Sequence, residues 1–371
     1  MSKNSYTIAI SVRDDIDENT LFHNGVSQNI FFLSDLFKLL GHKVFLHVNT
    51  DRKKKKLTLI NNKSYPLITD SALNDKSNKF DIAIEAGQIL SIAQREAFVA
   101  RGAKIISLHC GNQLIMDMET IFHTDGANTV IRHIPDYIDD VWVLPHHAHQ
   151  KTYMEVLMDA RVSICPYIWE PYFLPKNHKN SLVFRDTPNI YVMEPNVSVL
   201  KNALIPISII ELLHRKKTDI YNKAYIINGM KIYDHPFFLA NITKNFSAVN
   251  NKISPDKLYF TPRATFIEAF THYDVLLSHH WKNDLNNLSF EAIYSNIPFV
   301  HNSQTMKDIG YFYPDFDVKL GSEALETALT NIKIDFEKNK KNNQQFLKGF
   351  SIQNKEIQNK YSELIANALS S

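Results

Sequence analysis

Short apolar runs alternate with amphipathic stretches along the chain, which is the pattern of a parallel α/β protein. Thr7 to Val12 is a continuous apolar run, Ile30 to Leu40 carries apolar residues at helical spacing, and Lys43 to Val48 is the next apolar run. Continuous apolar runs are typical of parallel strands, because both faces of such strands are buried. The order strand, helix, strand predicts the start of a doubly wound domain.

The pattern restarts after a segment with four prolines between Pro166 and Pro188, which predicts two domains. A chain of 371 residues is also long for a single core. We predict an α/β fold with two Rossmann-like domains that face each other across a cleft. The predicted ranges are 1–175 and 176–350, followed by a C-terminal helix, 351–371, that packs back on the first domain.

The stretch from Leu276 to Ser303 contains the densest set of candidate site residues. It reads as a strand end, a polar loop rich in asparagine, a helix that carries Glu291, and a second strand that starts at Phe299. This order puts the loop at the carboxyl edge of a parallel sheet, where open α/β folds bind ligands. Asn283 and Asn286 lie near the predicted helix start, where backbone N–H groups favour anions.

Composition narrows the class of protein. The net charge of +2 gives no global basic field, and from it we predict no nucleic-acid partner. The glycine fingerprint of dinucleotide-binding domains is absent, which disfavours a dehydrogenase. Two cysteines fit a reducing compartment, the N-terminal apolar run is a strand rather than a signal peptide, and no apolar run is long enough for a membrane span. We therefore expect a cytoplasmic protein.

A basic run and a pair of adjacent histidines could each suggest a binding site, but both have simpler structural explanations. The basic run from Arg52 to Lys56 is expected in a solvated hairpin or loop, and contact with anionic lipid at the inner face of the membrane is the alternative. His279 and His280 are adjacent in a predicted strand end and point to opposite faces, so they cannot easily chelate one ion. We predict no metal site and no cofactor.

The segment FEAIYSNIPFV resembles the x-E-A-x-x-x-G-x-P-V-V signature of GT-B glycosyltransferases, with Glu291, Ala292, Pro298 and Val300 in the matching positions. The resemblance implies a C-terminal domain that binds a nucleotide sugar and an N-terminal domain that binds the acceptor. In that signature the carboxylate holds the ribose hydroxyls, and Glu291 inherits this role.

A second resemblance, to a bacterial family of unknown function, covers nearly the whole chain. It rests on three motifs, NG-x-x-QN, EPN-x-x-x-x-K and N-x-L-N-x-L…G-Y-x-Y-P-x-F-D. Here they are Asn24-Gly25…Gln28-Asn29, Glu194-Pro195-Asn196…Lys201, and Asn283…Asn286…Leu288 with Gly310-Tyr311…Asp317. The carboxylate seven residues before Glu291 is Asp284 and not the glutamate of the E-x7-E pattern of retaining enzymes, and Asn296 stands where the signature has glycine. The donor and the stereochemical outcome therefore stay open.

Cations and backbone N–H groups are the features that a diphosphate requires. Arg263 and Lys201 are candidates, with Lys201 expected on a helix that follows Glu194-Pro195-Asn196. Gly25 to Asn29 is expected as a loop after the first strand, whose Gln28 and Asn29 bind sugar hydroxyls, or whose Asn29 caps the helix. The predicted donor-binding set is Glu291, Arg263, Lys201, Asn196, Gly25, Gln28, Asn29, His279, Asn283, Asn286 and Leu288.

An inverting transferase needs a general base near the acceptor hydroxyl, whereas a retaining enzyme does not. The candidate bases at strand ends of the first domain are Asp14, Asp15, Glu85 and His109, which the sequence does not rank. Glu194 is a further acid or base, or else a carboxylate that stabilises a helix N-terminus. The predicted catalytic residues are Glu194, Asp15 and His109.

The resemblance to GT-B glycosyltransferases implies a metal-independent glycosyltransferase that moves a sugar from a nucleotide sugar to a cell-surface glycan or a lipid-linked acceptor. Two alternatives stay open. One is a nucleotide-sugar epimerase or hydrolase of the same fold, and the other is a non-catalytic sugar-binding protein.

Overall fold

A computed structural model describes residues 5–17, 20–22, 25–49, 56–59, 63–75, 77–123, 131–250 and 257–370. The chain forms two compact units. The first unit is Met1–Phe173 with Lys348–Ser371, and the second unit is Leu174–Leu347. Each contains one largely parallel sheet with helices around it, so the predicted α/β architecture with two parallel-sheet domains is confirmed.

The first unit is built on an eight-stranded sheet. Its strand order is β3-β4-β2-β1-β5-β6-β7-β8, and every pair is parallel except β3 with β4. The strands are β1 (Thr7–Ser11), β2 (Lys43–Val48), β3 (Lys56–Leu59), β4 (Lys63–Thr69), β5 (Ile82–Glu85), β6 (Lys104–His109), β7 (Asp140–Val143) and β8 (Arg161–Ile164). The helices that precede the second unit are α1 (Gly25–Leu39), α2 (Asp70–Asn74), α3 (Ile92–Val99), α4 (Gln113–His123) and α5 (Lys151–Met158).

The second unit has a six-stranded sheet whose pairs are all parallel. Its strands are β9 (Ile190–Val192), β10 (Ala224–Ile227), β11 (Leu258–Thr261), β12 (Val275–Leu277), β13 (Phe299–His301) and β14 (Tyr311–Phe312). The helices are α6 (His178–Ser181), α7 (Leu204–Lys216), α8 (Met230–Tyr233), α9 (Ser247–Asn250), α10 (Phe266–Ala269), α11 (Asn287–Ser295), α12 (Val318–Asn331) and α13 (Phe336–Lys348).

The strand order of the second sheet is β11-β10-β9-β12-β13-β14. Counted within the unit this is 3-2-1-4-5-6, the Rossmann order, in which the strand order reverses between the first and fourth strands while all strands stay parallel. The loops after β9 and β12 therefore leave the sheet side by side. Buried apolar side chains of α7 and α12 cover this sheet, among them Ile207, Ile210 and Leu325, and they fix the strand ends relative to each other.

The chain returns to the first unit through its last helix, α14 (Lys355–Leu369). The Tyr361 hydroxyl donates a hydrogen bond to the Pro166 carbonyl at 2.8 Å, and its ring packs edge-on against Phe37 and Trp142. The Glu170 carboxylate accepts hydrogen bonds from the hydroxyl of Ser351 and the N–H of Ile352. No helix in the described ranges is long and apolar enough to cross a bilayer.

Local polar groups explain where helix α11 begins and ends. Asn286 is its N-cap, with Oδ1 accepting the Ser289 N–H at 3.1 Å, and Asn296 ends it with a left-handed conformation at φ 55°. Asparagine tolerates this conformation better than most residues, which is why it can stand at a position where the resembled signature has glycine.

Two expectations about helices are wrong. The helix predicted to follow Glu194-Pro195-Asn196 starts only at Leu204, so Lys201 precedes it and Pro206 lies in its first turn. Proline is tolerated there because the first-turn N–H groups have no partner inside the helix. The segment from Gly25 to Asn29 is not a loop but the start of α1, and Asn29, inside the helix, does not cap it.

Candidate functional site

Glu194 lies in the loop after β9, at the point where the second sheet reverses its strand order. Its side chain is only 2% exposed. Oε1 accepts hydrogen bonds from the Ser278 hydroxyl at 2.5 Å and from the His279 N–H at 3.2 Å. Burial raises the pKa of Glu194, while the Ser278 bond, the charge of Lys201 and the His279 bond lower it. Burying a carboxylate lowers stability, and this one links the loops after β9 and β12, where the strand order of the sheet switches.

His280 and Asn286 extend this network. His280 Nε2 lies 3.0 Å from Ser278 Oγ, 3.1 Å from Asn286 Nδ2 and 3.8 Å from Glu194 Oε1. The backbone of His280 is held by Asn302, whose Oδ1 accepts the N–H and whose Nδ2 donates to the carbonyl, both at 2.8 Å. The polar network therefore reaches the loops that follow β9, β12 and β13, together with the start of α11.

His279 and Tyr313 form the other side of the cluster. His279 Nδ1 lies 3.0 Å from the Tyr313 hydroxyl, which also donates to the Ser278 carbonyl at 3.1 Å. Both side chains are buried. Burial lowers the pKa of His279 to about 4, so the imidazole is neutral at physiological pH.

Lys201 lies in the loop before α7 and not on a helix, which corrects the sequence expectation. Desolvation lowers the pKa of this half-buried lysine, and the charge of Glu194 raises it. The loop is shaped by Asn196, a left-handed residue at φ 55°. Asn196 Oδ1 accepts the Ala203 N–H at 2.8 Å and Nδ2 donates to the Asn228 carbonyl at 3.3 Å. Through these two hydrogen bonds Asn196 holds the backbone of the loop that carries Lys201.

The other predicted donor-binding residues of the second unit surround α11 or follow β11. Glu291 is buried in the second turn of α11, Leu288 is half-buried in its first turn, and Asn283 is half-buried in the preceding loop. Arg263 is exposed just after β11. Asp284 accepts hydrogen bonds from the Thr305 hydroxyl at 2.8 Å and the Thr305 N–H at 3.2 Å, and these bonds link the β12 and β13 loops.

The remaining predicted donor-binding residues belong to the first unit. Gly25 starts α1, Gln28 is buried in it, and Asn29 is half-buried and hydrogen-bonds the Cys110 thiol. Asn24 of the same motif lies outside the described residues. So do residues 52–55 of the basic run, whose last lysine, Lys56, starts β3.

The candidate bases of the first unit have different surroundings. Asp15 is exposed and pairs with Arg13 at 2.6 Å, and this hydrogen bond lowers the pKa of Asp15. His109 Nε2 lies 3.1 Å from Ser107 Oγ, and burial lowers the pKa of His109 to about 4. The other two candidates are engaged in backbone or buried contacts: Asp14 accepts the Asn49 N–H at 2.8 Å, and Glu85 pairs with buried Arg95 at 2.8 Å.

Sequence reasoning missed Ser278, His280, Asn302 and Tyr313. Ser278 and Asn302 directly follow β12 and His301 of β13, so their positions at strand ends were a usable signal. Tyr313 belongs to the motif that starts at Gly310, where φ is 62° and a side chain would clash with the Phe299 carbonyl. In the described ranges no group of three or more His, Cys, Asp or Glu side chains could hold a metal ion.

Residues 8–365 match the model of a family described as a protein of unknown function, DUF2827. The chain belongs to the DUF2827 family. This agrees with the predicted membership of a family of unknown function. A comparison of this DUF2827 chain with curated protein sequences found no match.

Three solved structures are similar to this DUF2827 protein over 99% of its length and 100% of theirs. A glycosyltransferase from Rickettsia africae ESF-5 has 12% identity and a TM-score of 0.56. A point mutant of S. aureus TarM, in complex with fondaparinux, α-GlcNAc-glycerol and UDP, has 10% identity and a TM-score of 0.57. An α-glucosyltransferase in complex with UDP and a 13-mer DNA containing a HMU base has 11% identity and a TM-score of 0.55. The predicted fold class, GT-B, is therefore confirmed.

The same comparison overturns the exclusion of nucleic acid. Two structures of the α-glucosyltransferase hold a 13-mer DNA, so a chain of this fold can take DNA as a partner. The prediction failed because net charge is a sum over the whole chain and says nothing of how charge is distributed on a local surface.

Proposed function

We propose that this DUF2827 protein is a glycosyltransferase that binds a nucleotide-sugar donor at the carboxyl ends of β9 and β12, where the strand order of the second unit switches. The observation that carries the proposal is the buried network of Glu194, Ser278 and His280, with the charge of Lys201 acting on Glu194. A buried carboxylate beside a half-buried lysine at the end of a parallel sheet costs stability, and such perturbed groups cluster at functional sites. Glycosyltransferase neighbours of the same fold, two of them with UDP, support this choice.

The donor diphosphate is assigned to Lys201, Arg263 and the N-terminus of α11. A departing nucleoside diphosphate gains negative charge in the transition state, and fixed cations and N–H groups stabilise it. Glu291, in the second turn of the same helix, is assigned to the ribose hydroxyls. Asn283 and Leu288 complete the wall of the site in this proposal, whereas Asn286 and Asn196 act by holding the backbone of the loops.

Glu194 is assigned a positioning role in place of acid–base catalysis. Its Oε1 is already occupied by the Ser278 hydroxyl and the His279 N–H. If the reaction inverts, we assign the general base to Asp15 or His109. Both side chains are unprotonated at neutral pH, because the pKa of Asp15 is lowered and the pKa of His109 is about 4, so their pKa values do not rank them. A retaining reaction would use neither residue.

The proposed acceptor is a cell-surface glycan or a lipid-linked glycan, with the reaction proceeding without a metal ion. Gln28 and Asn29, in the first two turns of α1, are assigned to sugar hydroxyls in this proposal. DNA belongs in any acceptor panel, because an α-glucosyltransferase of this fold is found in complex with it.

A thermal-shift screen of UDP-, GDP-, CMP-, ADP- and dTDP-sugars tests the proposal. A ligand at about 100 times its dissociation constant stabilises the folded state by roughly 2.7 kcal/mol, which raises the melting temperature. Product analysis of the ligand without acceptor separates a transferase from an epimerase or hydrolase, which would convert the donor alone. If none of these nucleotide sugars raises the melting temperature, the proposed function is wrong.

A further inference from the structure

The protonation state of His279 follows from its contacts with Tyr313. The Tyr313 hydroxyl has one proton and lies within hydrogen-bond distance of both the Ser278 carbonyl, at 3.1 Å, and His279 Nδ1, at 3.0 Å. A carbonyl can only accept, so the tyrosine proton goes to Ser278. Its oxygen then accepts from His279, which requires a proton on Nδ1. The reverse arrangement would leave the carbonyl facing a lone pair.

The other ring nitrogen, Nε2, is consequently a bare acceptor. A neutral imidazole carries one proton, and Tyr313 fixes that proton on Nδ1. Among the residues that the structure describes, no hydrogen-bonding atom reaches His279 Nε2, although the side chain is only 3% exposed. Leaving a buried acceptor unpaired is costly, and this one lies in the polar network at the ends of β9 and β12, so the atom points to a ligand that supplies a donor.

Access to His279 depends on an exposed aromatic side chain. The ring of Phe316 packs on His279 with centroids 4.7 Å apart, and Phe316 itself is 49% exposed. Trp281, also partly exposed, lies edge-on to Phe316 at 6.4 Å. Exposed side chains change rotamer within nanoseconds, so Phe316 can move off the imidazole ring on that timescale.

We propose that His279 Nε2 accepts a hydrogen bond from a hydroxyl or N–H group of the nucleotide sugar and does not contact its diphosphate. The inference rests on the proposed function and assigns a specificity-determining residue within that site. Ionised phosphate oxygens are acceptors and cannot satisfy a second acceptor, whereas sugar hydroxyls, ribose hydroxyls and base N–H groups can. In this proposal His279 contacts a neutral part of the donor, the sugar or the nucleoside, and Lys201 contacts the charged diphosphate.

Two substitutions distinguish the ring nitrogens. The amide of His279→Asn can take the position of Nδ1 and keep the Tyr313 contact, but it leaves nothing at Nε2. The longer side chain of His279→Gln brings an amide oxygen to the position of Nε2. The probes for calorimetric titration are the nucleotide sugar that the wild-type protein binds in the screen above, the corresponding nucleoside diphosphate, and inorganic pyrophosphate.

We expect His279→Asn to weaken binding of the nucleotide sugar about tenfold, because a buried donor of the ligand loses its acceptor. His279→Gln should stay within about threefold of wild type, and both variants should bind pyrophosphate as wild type does. A loss confined to the nucleotide sugar assigns the donor group to the sugar, and a loss shared with the nucleoside diphosphate assigns it to the nucleoside. Both results support the inference.

Unchanged binding of the nucleotide sugar by His279→Asn overturns the inference, as does an equal loss of pyrophosphate binding. If His279→Asn does not fold, as judged by its thermal melt, Tyr313→Phe takes its place. This variant keeps the imidazole and removes the hydroxyl that fixes its tautomer. We expect its affinity for the nucleotide sugar to fall about threefold and its affinity for pyrophosphate to stay that of wild type. Should the wild-type protein bind no nucleotide sugar, the proposed function fails first, and that result is distinct from all of these.

Discussion

Glu85 and Glu194 are both buried at strand ends, but they have different hydrogen-bond partners and therefore different roles. Glu85 Oε2 accepts from both Nε and Nη2 of Arg95 and from the Leu90 N–H. Desolvation raises the pKa of Glu85, and the adjacent guanidinium lowers it. Glu194 has a hydroxyl and a backbone N–H as direct partners, with its cation, Lys201, acting only through its charge. Glu85 is therefore a structural ion pair, and Glu194 belongs to the site.

Breaking the Glu85–Arg95 pair should destabilise the protein strongly. Arg95→Met leaves Glu85 buried without its cation, so we expect the free energy of unfolding to fall by about 3 kcal/mol in a urea melt. The double variant Glu85→Gln/Arg95→Met should recover a good part of this loss, because no charge is then buried.

The matched control is Lys360→Met, which removes one partner of the exposed Lys360–Glu363 pair. Surface pairs contribute little, so a change below about 1 kcal/mol is expected. Equal losses in the Arg95 and Lys360 variants would contradict the assignment of Glu85 to the structure.

At the scale of elements, helix α11 is defined by asparagines at both ends. Asn286 caps its start and also contacts His280, so the helix position and the polar cluster are fixed by the same side chain. Asn296 ends the helix in a left-handed conformation, and its Oδ1 accepts a hydrogen bond from Asn343 at 3.2 Å. Asparagine in place of glycine at position 296 therefore affects the end of α11, whereas the start of the helix is set by Asn286.

Substitutions at Asn296 test this reading. Asn296→Ala should lower the free energy of unfolding by about 1–2 kcal/mol, because alanine pays the left-handed penalty that asparagine and glycine avoid. Asn296→Gly should stay within about 0.5 kcal/mol of wild type, since it gains backbone freedom and loses only the Asn343 contact. Thermal or urea melts measure both. A larger loss for glycine than for alanine would show that the side chain matters more than the backbone.

At the scale of the whole molecule, the fold was predictable because its signal is local. The strand Lys43–Val48 and most of the helix Gly25–Leu39 are visible as apolar periodicity in a few consecutive residues. The proline-rich segment marked the restart of the pattern. Strand order, in contrast, depends on pairings between distant segments, and the sequence gives no direct reading of them.

Part of the polar network at the ends of β9 and β12 was visible in the sequence. Glu194 and His279 were placed near strand ends because each follows an apolar run. Tyr313 could not be paired with His279, 34 residues earlier in the chain, since no local pattern encodes that contact. Lys201 was assigned to a helix because apolar spacing continues through Val197–Leu200, whereas the Asn196 turn and its bond to Ala203 delay the helix start to Leu204.

Calorimetric titration of the donor into three proteins tests the central claim most directly. Wild type should bind the nucleotide sugar and its nucleoside diphosphate. Lys201→Gln should bind both about tenfold more weakly or worse, because a charge-assisted contact to the diphosphate is lost. Lys333→Gln, which removes an exposed cation after α12, should bind as wild type does. If Lys201→Gln binds the donor as tightly as Lys333→Gln while remaining folded, the donor does not bind at the carboxyl ends of β9 and β12.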